Sequence, residues 1–162
     1  MRISSEVELR PVKPRVPGSN PGCAAISTKL LGTHGELRVA ADLLSRGYHV
    51  FTPIADASKS DLIATRDEKS FLRIQVKTMR TKNGAVSIGV VAKGKGNNKN
   101  RVYEYRYTKE NVDYIAVFVY DRDCVLYIPI EAFSKNSLNI RFDPTKNNQV
   151  AKIRWATDYK EI

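Results

Sequence analysis

The central feature of this sequence is Ser58-Lys-Ser-Asp-Leu-Ile-Ala-Thr-Arg-Asp-Glu-Lys-Ser-Phe-Leu-Arg-Ile-Gln-Val-Lys-Thr78. A short apolar run follows Asp61, a polar run suited to a turn spans residues 66–70, and residues 71–78 alternate between apolar and polar side chains. Alternation with a period of two is the pattern of a half-buried β-strand. The stretch therefore predicts a β-hairpin that packs one face against a core.

The polar face of the second strand holds the first candidate functional residues. Gln75 and Lys77 share that face, because side chains two positions apart in a strand point the same way. Asp61, at the mouth of the neighbouring strand, is expected to lie beside them. Carboxylate and amide oxygens suit Mg²⁺, and a lysine ammonium suits a phosphate. A Gln-x-Lys pair is also common on a solvated strand face, so the interpretation needs support from elsewhere in the chain.

A predicted helix supplies that support. Residues 28–46 have an apolar stripe at roughly helical spacing, formed by Leu30, Leu31, Leu37, Ala40, Ala41, Leu43 and Leu44. Gly47 suits the position just after the helix end. Glu36 lies at the edge of the stripe, where it is either a solvated residue or a second carboxylate near the hairpin.

The order Glu36, Asp61, Gln75-x-Lys77 resembles the PD-(D/E)XK nuclease superfamily, in which a helical acid, a strand Asp and an acid-x-Lys pair surround one metal site. Ser60 stands in place of the proline, and Gln75 in place of the second acid. The variant with Gln is similar to the group I intron homing endonucleases of this superfamily. The resemblance covers roughly residues 29–159 and also includes Arg73-Ile-Gln-Val-Lys-Thr78, Tyr107-Thr-Lys-Glu-Asn-Val-Asp-Tyr-Ile-Ala116, Tyr127-Ile-Pro-Ile130 and Ile153-Arg-Trp-Ala156.

The resemblance implies an α/β fold of the restriction-endonuclease-like type, with a central mixed β-sheet flanked by helices and with β-hairpin extensions for DNA binding. It implies four catalytic residues, which are Glu36, Asp61, Gln75 and Lys77. It further implies a Mg²⁺ cofactor, with Mn²⁺ as a substitute, held by the side chains of Asp61 and Gln75 and by the backbone carbonyl of Val76. In that arrangement Lys77 orients the attacking water.

The charge of the chain points to a polyanionic partner. The formal net charge is +10 and the pI is about 9.7. Residues 77–109 contain nine basic residues and a single acid, Glu104. Residues 93–101 have only Gly, Asn, Lys and Arg, which predicts a mobile loop at the tip of two strands. The predicted DNA-binding residues are Arg80, Lys82, Lys93, Lys95, Lys99 and Arg101.

The remaining features concern organisation and compartment. Residues 1–28 contain four of the seven prolines and predict a disordered basic arm, which leaves residues 29–162 as a single domain. No apolar run approaches the roughly 20 residues that span a membrane, and no signal peptide is expected. Cys23 and Cys124 predict neither a disulfide framework nor zinc. A cytoplasmic or nucleoid-associated, non-secreted protein is expected.

These observations predict a metal-dependent endonuclease acting on double-stranded DNA, of the homing type. A homodimer or homotetramer is expected, because two strands must be cut and each domain offers one site. Two alternatives remain open. A Holliday-junction resolvase would use the same residues on a branched substrate. A non-catalytic DNA-binding domain would keep the basic strands, with Gln75 marking a decayed site.

Overall fold

A computed structural model describes residues 27–54, 58–95, 102–145 and 151–162. The elements in chain order are α1 (Thr28–Ser45), β1 (His49–Phe51), β2 (Leu62–Thr65), β3 (Leu72–Met79), β4 (Ala85–Gly89), β5 (Val91–Lys95), β6 (Val102–Arg106), β7 (Tyr114–Val119), β8 (Cys124–Pro129), a 3₁₀ turn (Ile130–Ala132), β9 (Ser137–Arg141) and a second 3₁₀ turn (Ala156–Tyr159). Within these ranges, no helix combines the length and the apolar character needed to cross a membrane. Of the predicted arm, residues 1–26 lie outside the described residues.

Five strands form a central mixed sheet in the order β1-β2-β3-β7-β8. Its neighbouring strands are antiparallel except for β3 and β7, which are parallel and place Gln75 beside Ile115 and Lys77 beside Val117. The predicted hairpin is β2–β3, with Leu62 opposite Ile74. The mixed sheet and its helix confirm the predicted α/β fold. The described part has one α-helix rather than several on the sheet, and the other face is covered by strands.

The two faces of the sheet bury separate cores. On one face, α1 packs Val39 and Leu43 against Ile74 of β3 and Phe118 of β7. On the other face, Ile115, Val117 and Val119 of β7 pack against a two-stranded antiparallel ribbon, β4–β9. The ribbon contributes Val86, Ile88, Leu138 and Ile140 to this core. The ribbon residues between these, Ser87 and Asn139, are exposed. Because burial alternates along β4 and β9, the ribbon covers the sheet with its apolar face and presents a polar face to solvent.

The position of α1 confirms the predicted helix but corrects its apolar stripe. Ser27 Oγ accepts a hydrogen bond from Leu30 N at 3.2 Å, which begins the helix, and Gly47 after its end has a φ of +80°. Three leucines of the predicted stripe are exposed, however: Leu30 at 61%, Leu37 at 65% and Leu44 at 58%. The buried side of α1 is formed by Gly35, Val39 and Leu43. Leu43 belongs to the predicted stripe and is buried, but the three exposed leucines were wrongly included, because the stripe followed the leucines and gave no weight to a glycine at the contact.

The run Val86-Ser-Ile-Gly-Val-Val-Ala92 predicts a single strand, but the structure divides it between two strands in two sheets. β4 ends at Gly89 and pairs with β9, whereas β5 begins at Val91 and pairs with β6. The backbone of Val90 lies between them and bonds to both sides, its N donating to Asn136 O at 3.0 Å and its O accepting from Tyr107 N at 2.9 Å. The predicted loop over residues 93–101 is likewise wrong in its first part, because β5 continues to Lys95.

Candidate active site

Asp61 lies immediately before β2 and continues the pairing of that strand with β3. Its backbone N donates to Ile74 O at 2.9 Å, and its Oδ2 accepts a hydrogen bond from Val76 N at 2.7 Å. Because β2 begins only at Leu62, the carboxylate takes the place of a strand carbonyl as the acceptor for Val76. The start of β2 thereby fixes a carboxylate at the middle of β3.

The side-chain amide of Gln75 lies between two oxygens. Its Nε2 donates a short hydrogen bond to Asp61 Oδ2 and a longer one, at 3.3 Å, to the Val76 carbonyl oxygen. Both acceptors therefore converge on one point, which a hydrogen-bond donor now fills. A small cation at that point would find a carboxylate and a carbonyl facing it, and rotation of the Gln75 amide would add a third oxygen.

The donor set fits a hard divalent ion. Mg²⁺ prefers oxygen ligands and keeps several waters, so that one or two carboxylates suffice. The described residues contain no cluster of three or more His, Cys, Asp or Glu side chains. An amide and a backbone carbonyl would thus have to complete the set begun by Asp61, as the sequence predicts for Gln75 and Val76.

The carboxyl group of Asp61 has an unusual proton affinity. Burial raises its pKa to about 6, and the charge of Glu36 acts in the same direction. The hydrogen bonds from Val76 and Gln75 and the charge of Lys77 oppose the rise. Perturbed carboxyl groups of this kind cluster at functional sites. A bound cation would remove much of the cost of keeping this carboxylate ionised.

Glu36 is brought towards Asp61 by the glycine that precedes it. A Cβ built on Gly35 would lie 1.8 Å from Thr78 Oγ1, so α1 can approach β3 this closely only without a side chain there. The next residue along the helix is half-buried, and its charge is felt at Asp61. Both carboxylates of the predicted catalytic set thus belong to one electrostatic environment.

Lys77 follows Gln75 on the same face of β3. Burial lowers its pKa, while the charge of Asp61 opposes that effect. Its Nζ lies 5.4 Å from the ring centre of Tyr107. The structure therefore brings together all four predicted catalytic residues: Glu36 and Lys77 through their electrostatic influence on Asp61, and Gln75 through a direct hydrogen bond.

Lys59 is a further cation near this site that the sequence reasoning missed. Its Nζ lies 4.2 Å from the ring centre of Tyr105, and that ring meets Tyr107 edge to face at 5.4 Å between centres. The two tyrosines, which also pack against the core, therefore hold Lys59 and Lys77 over adjacent rings. The sequence signal that could have identified Lys59 is its position, two residues before Asp61.

Arg73 fixes the start of the strand that carries the site. Its Nε and Nη2 donate to the two carboxylate oxygens of Asp113, each at 3.0 Å, and its Nη2 also donates to Lys109 O at 2.6 Å. A bidentate pair of this kind has a defined geometry. It ties β3 to the segment that leads into β7, so Gln75 and Lys77 are held on a strand anchored at its beginning.

Of the predicted DNA-binding residues, Arg80 and Lys82 are those whose side chains the structure describes, and they lie in different surroundings. The guanidinium of Arg80 lies 4.6 Å from the ring centre of Tyr120, a ring that His34 of α1 also meets. Lys82 is exposed before the Asn83-Gly84 turn and lines a groove on the outer side of β4–β9. Lys93 and Lys95 belong to β5 of the β5–β6 hairpin, and Lys99 and Arg101 lie outside the described residues.

Comparisons with known proteins identify the family of this chain. The sequence profile of the PD-(D/E)XK endonuclease family matches residues 26–162. Among solved structures, the bacterial homing endonuclease I-Ssp6803I is 24% identical, with a TM-score of 0.66 over 83% of this chain and 88% of that chain. The Holliday junction resolvase Hjc of the archaeal hyperthermophile Archaeoglobus fulgidus is 14% identical, with a TM-score of 0.41 over 68% and 83%. No curated protein matches the chain. Because the family profile covers nearly all the described residues, the chain belongs to the PD-(D/E)XK endonuclease family.

Proposed function

We propose that this protein is a metal-dependent endodeoxyribonuclease that hydrolyses phosphodiester bonds at specific sites in double-stranded DNA, as a homing endonuclease does. The observation that carries the proposal is the convergence of Asp61 Oδ2 and the Val76 carbonyl on the Gln75 amide, with Lys77 next along the same face. Membership of an endonuclease family supports the hydrolytic reaction. A net charge of +10 supports a nucleic acid as the substrate.

The residues of the site divide the work of hydrolysis among them. Asp61, Gln75 and the Val76 carbonyl would hold Mg²⁺, or Mn²⁺ in its place, and Glu36 adds a second carboxylate. A bound divalent ion supplies positive charge that offsets the charge of the phosphate and the leaving oxygen. Lys77 orients the attacking water and stabilises charge that develops on the phosphate oxygens. Partial burial strengthens these charge interactions relative to bulk water.

A second candidate function is non-catalytic DNA binding. The observation that favours it is Gln75 itself, because an amide at the position of the family's second acid lowers the negative charge available to hold a metal. In this function the protein has the same fold and binds DNA through the same basic surface, but the site near Asp61 does not hydrolyse the DNA. The two candidates differ in one measurable property, which is metal-dependent cleavage.

The proposed oligomeric state follows from the geometry of duplex DNA. One set of Glu36, Asp61, Gln75 and Lys77 can cut one strand at a time, and the two strands run in opposite directions. A homodimer, or a homotetramer containing such a dimer, presents two sites related by a twofold axis. The matching target is approximately palindromic.

The decisive experiment incubates the purified full chain with a supercoiled plasmid library of random inserts, and separately with a cruciform plasmid, with and without Mg²⁺. Products are mapped by sequencing. The proposal expects Mg²⁺-dependent linearisation at a restricted set of sites. Cutting only at the branch would identify a junction resolvase instead, and binding without any cutting would identify the non-catalytic module.

Variants assign the reaction to the site. Asp61→Ala and Lys77→Ala are each expected to lower the cleavage rate by about 10²–10³-fold while DNA binding is kept. Lys69→Ala is the matched control, because Lys69 is an exposed lysine in the β2–β3 turn, well away from the convergent oxygens. Cleavage by Asp61→Ala at the rate of the wild type would show that the hydrolytic site lies elsewhere.

A further inference from the structure

A groove of about 360 Å³ runs along the outer face of the β4–β9 ribbon. Its floor includes Ser87 and Asn139, which lie directly opposite each other across the two strands and are both exposed. One wall is formed by residues 152–154, which are held beside β9 by a hydrogen bond of 2.9 Å from Arg141 N to Arg154 O. The groove is thus built from two strands and an adjacent segment, with a polar floor.

The walls of the groove are positively charged. Lys82, Lys152 and Arg154 line it and are exposed, and none of them forms an ion pair with a carboxylate in the described part of the chain. No acidic residue is found among the described residues that line it. Arg141 adds a fourth cation at one end, where its guanidinium donates to the carbonyl oxygens of Asn83 and Asp143, each at 3.1 Å. The groove fits a polyanion.

The chemistry of the lining favours duplex DNA over a single strand. Single-stranded nucleic acid is held by stacking on aromatic side chains, and none of the described residues lining this groove is aromatic. A two-stranded β-ribbon fits the major groove of B-DNA, where each base pair presents its own pattern of donors and acceptors. Asn pairs with the edge of adenine and Ser with either kind of group, so Asn139 and Ser87 are suited to that position.

The ribbon lies on the same side of the sheet as the candidate active site. It covers the face of β7 that carries Ile115 and Val117, the two residues beside Gln75 and Lys77. At the end of β4, the Val90 carbonyl accepts a hydrogen bond from Tyr107 N, and the Tyr107 ring is the one near Lys77. A duplex lying along the ribbon can therefore extend to the site on β3.

We propose that the outer groove of the β4–β9 ribbon reads base pairs in the major groove of the duplex that the active site cuts. Asn139 and Ser87 contact base edges, and Lys82, Lys152 and Arg154 contact the flanking phosphates. This inference rests on the proposed function, because it takes duplex DNA as the substrate. It adds a recognition surface separate from the catalytic residues and distinct from the β5–β6 hairpin.

The first test measures duplex binding by the full chain in EDTA, so that the result does not depend on cleavage. Each phosphate contact contributes about −0.9 to the slope of log K against log salt on duplex DNA. Lys152→Gln and Arg154→Gln are each expected to flatten the slope by up to about 0.9. Lys69→Gln removes the same charge from the β2–β3 turn and is expected to leave the slope unchanged. Equal slopes for all these variants would overturn the proposal.

The second test selects preferred duplexes from a random library, again in EDTA. Asn139→Ala and Ser87→Ala are expected to lose about 5- to 150-fold discrimination at one or two base pairs, with an unchanged salt slope and melting temperature. Unchanged base preferences in both variants would overturn the base-reading role. Calorimetry that shows inorganic phosphate bound in the groove, together with duplex binding that this phosphate does not weaken, would overturn it as well. A protein that selects duplexes through the ribbon but never cuts them would contradict the proposed hydrolysis and support the base-reading role of the ribbon alone.

Discussion

Gln75 places an amide where a carboxylate would add a negative charge beside Asp61. The carboxyl group of Asp61 already has a pKa of about 6 because of its burial, with Glu36 adding to the effect. A second acid in contact with it would compete for the same proton in the metal-free protein. An amide avoids that competition and still offers an oxygen to a cation, at the expense of weaker electrostatic attraction.

The first prediction at this scale concerns Gln75→Glu, a nearly isosteric change. Metal affinity is expected to rise, because a carboxylate attracts Mg²⁺ more strongly than an amide does. Turnover is expected to fall, because the added charge opposes the incoming phosphate. Gln75→Ala is expected to weaken metal binding and cleavage together. Titration of cleavage with Mg²⁺ for the three proteins checks these outcomes, and an active wild type indifferent to both changes would place Gln75 outside the metal site.

The second prediction concerns the pH dependence of stability without metal. The pKa of Asp61 is raised from 3.8 to about 6, so the folded chain holds this proton more tightly than the unfolded chain. The free energy of unfolding therefore falls as the pH rises from 3.8 to about 6, because the folded chain must give up this proton. Above pH 6 the buried carboxylate continues to destabilise the fold by a constant amount. Asp61→Asn removes the ionisation and is expected to melt at a higher temperature than the wild type above pH 6.

Thermal denaturation in EDTA between pH 4 and pH 8 measures this difference. The gap between Asp61→Asn and the wild type is expected to narrow towards pH 4, where the wild-type carboxyl group is protonated too. A gap of the same size at every pH would mean that the substitution acts through packing or hydrogen bonding instead. Added Mg²⁺ is expected to stabilise the wild type more than the variant, since only the wild type keeps the carboxylate ligand.

At the scale of elements, α1 owes its position on the sheet to Gly35. The third prediction is that Gly35→Ala destabilises the protein by about 1–3 kcal/mol, because the new methyl group would overlap Thr78 Oγ1. Gly32→Ala is the matched control in the same helix. Nothing lies within 4 Å of a Cβ at position 32, and alanine favours the helix by about 1 kcal/mol over glycine. Denaturant unfolding measures the free energy of unfolding, which is expected to fall for Gly35→Ala and to rise for Gly32→Ala.

A double substitution identifies the cause of the loss. Thr78→Ala removes the hydroxyl, which is buried and has no hydrogen-bond partner within the described ranges, and leaves a Cβ 3.1 Å from the new methyl group. The pair Gly35→Ala/Thr78→Ala is therefore expected to recover part of the stability and of the cleavage rate lost by Gly35→Ala alone. Additive losses in the pair would show that the helix shifts for another reason.

The elements also show what a sequence pattern can and cannot predict. The β2–β3 hairpin was correctly predicted because period-two alternation over residues 71–78 is set by burial on one face of a sheet. The buried side of α1 was not, because its closest contact is made by a glycine, which has no hydrophobic signal. The change of sheet at Val90 was also missed, since an apolar run is equally compatible with one strand or with two strands that diverge into different sheets at a single residue.

At the scale of the whole molecule, the candidate site assembles residues from three elements. The order of acids and lysine along the sequence predicts Glu36, Asp61, Gln75 and Lys77 as the catalytic residues. The structure places them near one another, and their catalytic role stays a prediction. The order could not predict that Lys59 joins them over Tyr105, or that residues 152–154 line a groove with Lys82, because both depend on how distant segments pack. Long-range packing of this kind leaves no local pattern.

The fourth prediction concerns assembly. Since one chain carries one site, the protein is expected to sediment as a dimer or tetramer and to convert supercoiled DNA to linear DNA with little nicked intermediate. Dilution below the dissociation constant of the oligomer is expected to make nicked circles accumulate. Sedimentation equilibrium and gel analysis over a range of protein concentrations test this expectation. A monomer that linearises plasmid directly would contradict it.

The alternation of burial along β4 and β9 has a consequence for how such a protein can change over time. Val86, Ile88, Leu138 and Ile140 face inward and hold the ribbon on the sheet, whereas their neighbours Ser87 and Asn139 face solvent. Substitutions at the outward positions leave the core untouched, so they carry little risk of unfolding the chain. A lineage can therefore accumulate changes on the outer face at nearly constant thermal stability, while the inward residues remain under the constraint of folding. With the base-reading role proposed for that face, such changes would alter the preferred DNA sequence.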